Sequence, residues 1–411
     1  MVRVVTAPPQ VTGPALEAFA AQVARTGAGA LELRTDLHSE GEGVESAARH
    51  APLWVSARGW PVPMRWRAAA RWCDVPLRPG ALELSLHEKT TVLSHHAAAP
   101  MSPDDAEALW RAAPLHACAG LKHVEPLGPP RSCGRLFETQ RRLVRRFGAG
   151  RVTVLAHGAL ALAFRAALAE RNAFDFVAAA PGWSAATGQR LLADAVRSGV
   201  PAAAGARLGI IGSDLVGSRS PRVHAQPFDR IELPPEADLD EVLGALVPLY
   251  RGLAVTNPFK QAAAAHVGSA FAAVNTLVRR EGRFWGANTD VEGARAVLDA
   301  LAPREVTVLG DGGAAFALRL AASELNRPLT VLRRRDAGAR LRGAAVWTWP
   351  ASLPPPEALD VDGVTIALIC YGPAAWRLAR ALTLRGARVL RLGGRWFVAQ
   401  ARAQRELWSR P

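Results

Sequence analysis

The sequence predicts an α/β protein: a (β/α)8 barrel, then further α/β structure that includes a Rossmann-like unit. Three observations carry this expectation. The 411-residue chain is too long for one ordinary domain. From Val2 to Ala180, strand-like apolar runs recur with helix-compatible Ala/Leu/Arg-rich stretches between most of them, the pattern of parallel β/α units. Further on, E-V-T-V-L-G-D-G-G-A-A-F-A-L places a strand, a Gly-rich turn and a helix in succession, the order in which a Rossmann-like sheet opens.

The runs of the first half are Val2 to Ala7, Ala30 to Leu37, Leu53 to Arg58, Ala81 to His87, Thr91 to His96, Gly120 to Val124, Arg151 to His157 and Phe174 to Ala180. Eight such strands suit a closed barrel, with an open doubly wound sheet as the alternative. The polar residues favour the barrel. Glu32, Arg34, Asp36, Arg58, His96, Lys122, His157 and Arg165 fall at or just beyond strand ends, where barrel enzymes collect functional groups. Around Pro201 to Arg207 the composition turns to Ala, Gly and Pro, which reads as a linker. A strand, a polar loop and a helix follow in L-G-I-I-G-S-D-L-V-G-S-R-S-P-R-V-H.

Composition bounds the class. With 49% hydrophobic and 21% charged residues, the chain is expected to bury sizeable cores. No apolar run is long enough for a membrane span. The start, M-V-R-V-V-T-A-P-P-Q, reads as strand and turn rather than signal peptide, so a cytoplasmic protein is expected. Cys73, Cys118, Cys133 and Cys370 lack C-x-x-C spacing and read as reduced thiols, with no zinc site or other metal centre expected. The net charge of +14 is spread along the chain apart from short clusters at Arg141 to Arg146 and Arg333 to Arg335, which suits small anionic substrates better than nucleic acid.

Among 50 basic residues only three are lysines: Lys89, Lys122 and Lys260. An amine can lose its proton and act as acid, base or nucleophile, while guanidinium stays charged, so a retained lysine marks chemistry that arginine cannot perform. Lys89, in an E-K-T-T turn, reads as incidental. Lys260 closes A-V-T-N-P-F-K, followed by A-A-V-N-T-L-V and G-A-N-T-D. These signatures at the ends of apolar runs bring Thr256, Lys260, Asn275 and Asp290, a set that suits a small polyhydroxylated ligand with a reacting C–O centre.

V-T-N-P-F-K, A-V-N-T and N-T-D, in that order, resemble the shikimate dehydrogenase family. The resemblance implies that Lys260 and Asp290 are the catalytic pair and that Thr256 and Asn275 hold substrate hydroxyls. The loop V-G-S-R-S-P resembles the family's opening, so Ser218 and Ser220 would meet the substrate carboxylate; a serine pair before proline is also an ordinary helix cap. The closing W-F-V-A-Q-A-R-A-Q-R-E-L-W would bring Gln400 to the ligand. Gly310, Gly312, Gly313 and Ala314 would receive a pyrophosphate, with Ala315 completing the G-x-G-x-x-G/A spacing. Arg334, in the run Arg333 to Arg335, would suit the 2′-phosphate of NADP, and a solvated face is the other reading of that run. Asp311 sets a carboxylate in this turn, against the charge preference of a phosphate site. The family's N-A-T-x-x-G segment has no counterpart before L-I-C-Y-G-P, so the nucleotide domain is expected to be shortened by about a β/α unit, with Pro350 to Pro356 in its place.

In the first half, L-E-L-R-T-D, V-S-A-R, V-L-S-H-H, G-L-K-H-V, H-G-A-L-A-L-A-F-R and S-A-A-T-G-Q resemble, in order, the type I 3-dehydroquinate dehydratase family. By that resemblance Lys122 is the Schiff-base residue and His96 the general acid/base. Arg165 would pair with the substrate carboxylate, and Glu32, Arg34, Arg58 and Gln189 would contact hydroxyls. Strand alternation sets His95 and His96 on opposite faces, and His96 matches the family position. Arg34 and Asp36 also suit an ion pair closing a strand, and His116 and His123 read as structural.

The two resemblances together imply three regions: residues 1–204 as the barrel, 207–300 completed by 395–411 as the substrate domain, and 301–394 as the nucleotide domain. The implied enzyme makes 3-dehydroshikimate from 3-dehydroquinate and reduces it to shikimate with NADPH, acting on small molecules, with a homodimer left open. The alternative is a ligand-binding regulator or pseudoenzyme, which the retained lysines oppose and the shortened nucleotide region favours.

Overall fold

Runs of Val, Leu, Ile and Phe with few internal polar residues form strands covered on both faces. The computed structural model describes residues 1–38, 42–58, 62–77, 90–127, 133–158, 161–180, 182–186, 188–197, 207–215, 217–224, 228–301, 305–336, 338 and 341–409. It comprises two compact units: Met1–Pro221 with Ala225–Arg251, and Arg222–His224 with Gly252–Pro411.

The first unit opens with β1 (Val2–Thr6), α1 (Gly13–Arg25), β2 (Ala30–Arg34), α2 (Val44–His50), β3 (Leu53–Ser56), α3 (Met64–Ala69), β4 (Ala70–Pro76) and β5 (Thr91–His96). It continues through α4 (Pro103–Ala112), β6 (Gly120–Pro126), α5 (Cys133–Phe147), β7 (Val152–His157), α6 (Ala161–Ala169), β8 (Phe174–Ala178), β9 (Arg190–Leu191) and α7 (Leu192–Arg197). These strands form one sheet in the order β7-β6-β5-β4-β3-β2-β1-β8-β9, and every pairing is parallel. Period-two alternation sorts their side chains. Val4, Trp54, Val92, Val124, Leu155, Phe174 and Phe176 meet in one cluster on one face. Their neighbours Val5, Val55 and Val177, or Leu93 and Val154, pack in separate clusters on the other.

Helix ends follow local chemistry: Ser102 caps α4 by accepting from Asp105 N at 3.1 Å, with Pro103 as its first residue. Strands β7 and β8 are linked by Ala173 N donating to Val152 O at 2.7 Å. Asn172 adds to this link, its Nδ2 donating to Val154 O at 2.8 Å and its Oδ1 accepting from Val154 N at 2.9 Å. The expected strand at 81–87 lies outside the described residues, as do Lys89 and most of the expected linker. Strand β4 stands where no strand was expected, because Arg71, Asp74 and Pro76 interrupt its apolar pattern. The unit ends with β10 (Arg207–Gly212), the start of α8 (Ser220–His224), β11 (Phe228–Glu232) parallel to β10, and α9 (Leu239–Leu246). The chain leaves it within β12 (Tyr250–Val255).

In the second unit α10 (Lys260–His266) leads to the hairpin of β13 (Thr276–Arg280) and β14 (Arg283–Ala287), antiparallel to each other and to β12. Glu281 and Gly282 both take positive φ, 48° and 76°, as a two-residue hairpin turn requires. Then come α11 (Asp290–Leu301), β15 (Val306–Leu309), α12 (Gly313–Glu324), β16 (Leu329–Leu332), β17 (Ala344–Trp347), β18 (Thr365–Leu368), α13 (Pro373–Leu384), β19 (Arg388–Arg391) and α14 (Gly393–Ser409). Strands β15 to β19 form an all-parallel sheet in the order β16-β15-β17-β18-β19, whose strand order reverses at β15. Among the described residues, the β16–β17 and β17–β18 connections contain no α-helix. Five parallel strands are thus present while two of their connections are helix-free. Helix α14 packs on α11 and β13. Trp408 donates to Leu277 O at 3.0 Å and lies where a Cβ on Gly252 would sit, 2.2 Å from its ring.

Candidate active sites

Lys122 enters the sheet face from the middle of β6 and is 2% exposed. Its ammonium bonds to Asp74 Oδ2 on β4 and lies 4.5 Å from the Phe176 ring centroid and 5.8 Å from that of Trp54. Burial is the largest influence and pulls the Lys122 pKa below its ordinary value; Asp74 opposes this and Arg58 adds to it. Burial disfavours the Asp74 carboxylate too. The Lys122 ammonium, the Arg58 guanidinium and hydrogen bonds from Lys122 and Ser94 overcome that and hold its pKa low.

Buried Glu32 extends the cluster, accepting from Ser56 Oγ at 2.6 Å and from Thr6 Oγ1. Ser56 Oγ also stands 3.3 Å from Asp74 Oδ2. Asp74, Ser56 and Thr6 were not anticipated. Their one sequence signal is an acid inside the run W-C-D-V.

His96, at the end of β5, is exposed. Desolvation, then the charges of Lys122 and Arg58, lower its pKa, which keeps the imidazole neutral at neutral pH. His95 faces the other way and stacks on His123 at 5.6 Å, and His123 Nε2 meets Glu125 Oε1 at 2.6 Å. Arg34 pairs with Asp36 through 2.6 and 3.0 Å contacts and donates to Ala185 O at 3.0 Å. Gln189 Oε1 accepts from Ala185 N at 2.8 Å. Arg165 is 3% exposed and donates to Phe176 O at 3.1 Å; burial, partly opposed by Asp175, pushes its pKa down to about 10. In the same unit Ser218 Oγ accepts from Ser220 N at 3.3 Å at the start of α8, the geometry of a cap.

In the second unit the turn after β12 delivers Lys260. Thr256 O accepts from Phe259 N at 3.0 Å, and Lys260 opens α10. Asp290 opens α11, and its Oδ2 lies 2.5 Å from Lys260 Nζ. Trp396 Nε1, on α14, donates to Asp290 Oδ1 at 3.4 Å. Asn275 is fully buried, and its Oδ1 accepts from Thr289 N at 2.8 Å, Thr276 Oγ1 at 2.9 Å and Thr289 Oγ1 at 3.1 Å. Its Nδ2 has no partner among the described residues, leaving a donor for a ligand hydroxyl. Gln404 donates to Thr276 Oγ1 at 3.1 Å, while Gln400 lies half-buried one turn earlier.

The Gly-rich turn lies at the carboxyl end of β15, where the strand order reverses and open α/β sheets bind ligands. Gly310 has φ +134°, and a Cβ there would come within 2.2 Å of Thr348 Oγ1. Gly312 and Gly313 have open space above Cα, so backbone can approach a pyrophosphate at the start of α12. Asp311 does not present a free charge: Arg319 Nη2 meets it at 2.5 Å and Arg333 Nη2 at 2.9 Å. Arg334 donates to Pro354 O at 2.5 Å and lies 5.6 Å from the Trp349 ring centroid. These residues fit a dinucleotide. Among the described residues, no group of His, Cys, Asp and Glu could hold a metal, and no helix is long and apolar enough to cross a membrane.

No protein-family model matches the chain. It is 30% identical over 266 residues to the shikimate dehydrogenase (NADP(+)) of Methylocella silvestris, a match covering 50% of this chain and 95% of that protein. Against the enzyme of the same name from Dehalococcoides mccartyi it is 30% identical over 261 residues, covering 50% and 90%. Through one half of its length, the chain belongs to the shikimate dehydrogenase family.

Half of 411 residues is shorter than either aligned span, so those dehydrogenases carry segments that this one lacks, in keeping with the helix-free connections. Among solved structures, the chain is similar to shikimate 5-dehydrogenase from Thermus thermophilus in complex with NADP(H) and shikimate. Identity is 27%, over 49% of this chain and 93% of that one, with a TM-score of 0.42. It is also similar to dehydroquinate dehydratase and shikimate dehydrogenase from S. pombe AroM, 18% identical over 99% of this chain and 95% of that one, with a TM-score of 0.39.

Proposed function

We propose that this shikimate dehydrogenase relative is a bifunctional enzyme of the shikimate pathway of aromatic amino-acid biosynthesis. Residues 1–204, closed as a (β/α)8 barrel, dehydrate 3-dehydroquinate to 3-dehydroshikimate. Residues 207–300 with 395–411, around a nucleotide domain of 301–394, reduce that product to shikimate with NADPH. One observation carries the reading: both lysines among the described residues meet an aspartate within a cluster of polar groups, Lys122 with Asp74 and Lys260 with Asp290. Closure of the barrel is supported by the bonds between β7 and β8 and by the single apolar cluster to which most of the strands contribute.

In the first reaction the Lys122 amine adds to the ring ketone and water leaves, forming a carbon–nitrogen double bond. The iminium acidifies the adjacent carbon, and neutral His96 takes its proton. The electron pair left behind forms the ring double bond as the β-hydroxyl departs, protonated by His96, as water. Hydrolysis then returns ketone and amine. Arg165 and Arg58 supply positive charge for the substrate carboxylate and hydroxyls, and Glu32 and Gln189 complete the hydroxyl contacts.

In the second reaction NADPH, when bound, supplies the hydride. Gly310, Gly312, Gly313 and Ala314 would hold its pyrophosphate, with Arg334 on the side of the 2′-phosphate. Lys260 donates a proton to the carbonyl oxygen of 3-dehydroshikimate, and Asp290 orients the ammonium. Asn275 Nδ2 and Thr256 bind ring hydroxyls, with Ser218 and Ser220 assigned to the carboxylate and Gln400 to the remaining ring face.

Incubation with 3-dehydroquinate and excess NADPH, resolving products while following cofactor oxidation, tests both halves. Shikimate with matched NADPH loss is expected. Dehydroshikimate alone would make the trimmed nucleotide domain silent, and no conversion would leave a ligand-binding pseudoenzyme.

A further inference from the structure

A buried ion network borders the first half that the dehydration chemistry does not use. Arg190, on β9, reaches Asp175 Oδ2 on β8 at 2.6 Å and Asp229 Oδ1 on β11 at 3.8 Å. Asp229 also accepts from Arg207 Nε at 2.7 Å and Tyr250 Oη at 3.0 Å, and Arg207 meets Glu170 just beyond α6. Asp175, Arg190, Arg207, Asp229 and Tyr250 are all buried. Charges taken out of water persist only when paired in good geometry, which makes such a network stiff.

Arg190 directly follows Gln189. The loop carrying Ser184, Ala185 and Gln189 is tied internally, with Gln189 Oε1 accepting from Ala185 N at 2.8 Å and Ser184 Oγ at 3.1 Å. It is also tied to the sheet by Arg34 donating to Ala185 O at 3.0 Å. On its other side is a cavity of about 240 Å³ lined by Ser184, Gln189, Arg190, Asp194, Asp229 and Arg230. Trp183 of the same loop packs against Phe19, with ring centroids 6.1 Å apart, so apolar contact and the hydrogen bonds above hold the loop together.

We propose that Asp229, which follows the barrel in sequence, is a positioning residue for the dehydratase site: its charge, 3.8 Å from Arg190 Nη1, joins the 2.6 Å pair with Asp175 in holding Arg190 and thereby the loop that presents Gln189. The proposal rests on the dehydratase reading of the first half. On this account the barrel takes part of its loop anchor from the segment after it, so the two halves of the chain are fused in function as well as sequence.

The full-length chain tests this through Asp229→Asn, Tyr250→Phe and Gln189→Ala, alone and combined. D229N is expected to raise the KM for 3-dehydroquinate about tenfold with kcat within about threefold, and Y250F to raise KM about twofold. In a Q189A background D229N should add no further factor, since both changes act through one loop. A merely structural role would lower the active fraction without this KM split or this lack of additivity. A folded D229N with unchanged KM, or effects of D229N and Q189A that multiply independently, would overturn the proposal. If D229N does not fold, Y250F against Q189A decides by the same criterion. A wild type that leaves 3-dehydroquinate untouched would overturn the dehydratase reading itself, and the proposal with it.

Discussion

Lys122 and Lys260 each pair with an aspartate, and the two pairs differ in access to water. Lys122 and Asp74 are each 2% exposed and lie beside the rings of Phe176 and Trp54, whereas Lys260 is 26% exposed and Asp290 6%. An amine that attacks a carbonyl carbon needs its lone pair, and a dry aromatic wall weakens its hold on the proton. An amine that delivers a proton works with its charge solvated on one side and oriented by a carboxylate on the other. On the proposed reading, the two Lys–Asp pairs would owe their different roles to their surroundings more than to their sequence motifs.

The largest effects should come from exchanging each lysine for arginine, which keeps the charge and removes the chemistry. Lys122→Arg should lower dehydratase turnover by about 10⁴-fold or more and abolish the mass adduct trapped by borohydride with 3-dehydroquinate, while shikimate oxidation by NADP stays within about twofold. Lys260→Arg should do the reverse, cutting dehydrogenase kcat by about 10²- to 10⁴-fold and sparing dehydration. Each activity serves as the folding control for the other variant. Loss of both activities from either exchange would break the comparison.

A smaller effect separates the pairs by pH. Burial depresses the Lys122 pKa and Asp74 raises it, so a neutral residue at position 74 should depress it further. If the first half dehydrates 3-dehydroquinate as proposed, the acid limb of its kcat/KM profile would report loss of the Lys122 proton. It should lie below the range of an ordinary lysine in the wild type and move to still lower pH in Asp74→Asn. A limb that stays in place or moves up would mean that Asp74 does not set the Lys122 charge.

The meeting of Lys260 with Asp290 was legible in the sequence because both end apolar runs: each opens a helix, so the motif and the element boundary coincide. Asp74 was not legible. Arg71, Asp74 and Pro76 disguise β4, and only the parallel register that sets Ser56 beside Asp74 and Ser94 beside Lys122 brings the acid to the amine. Asp311 misled for a related reason: the arginines that neutralise it lie 8 and 22 residues further along the chain, on α12 and after β16. The helix-free β17–β18 connection holds the stretch Pro350 to Pro356, whose consecutive prolines cannot supply the amides a helix needs.

The smallest expected effect distinguishes two glutamines on α14. Gln400 matches the family motif and lies half-buried, whereas Gln404 is 1% exposed and donates to Thr276 Oγ1 and, at 3.4 Å, to Asn275 O. Asn275 O also accepts from Val255 N, so losing Gln404 empties a packed site without orphaning that carbonyl. Gln404→Ala should therefore cost about 1 kcal/mol, a fall in Tm of about 2–4 °C, with KM for shikimate unchanged. Gln400→Ala should leave Tm in place and raise that KM about three- to tenfold, the loss of one hydrogen bond to a ligand. The opposite pattern would transfer the ligand contact to Gln404. The docking of α14 would then hold the substrate directly, and no longer only shape the wall behind Asn275.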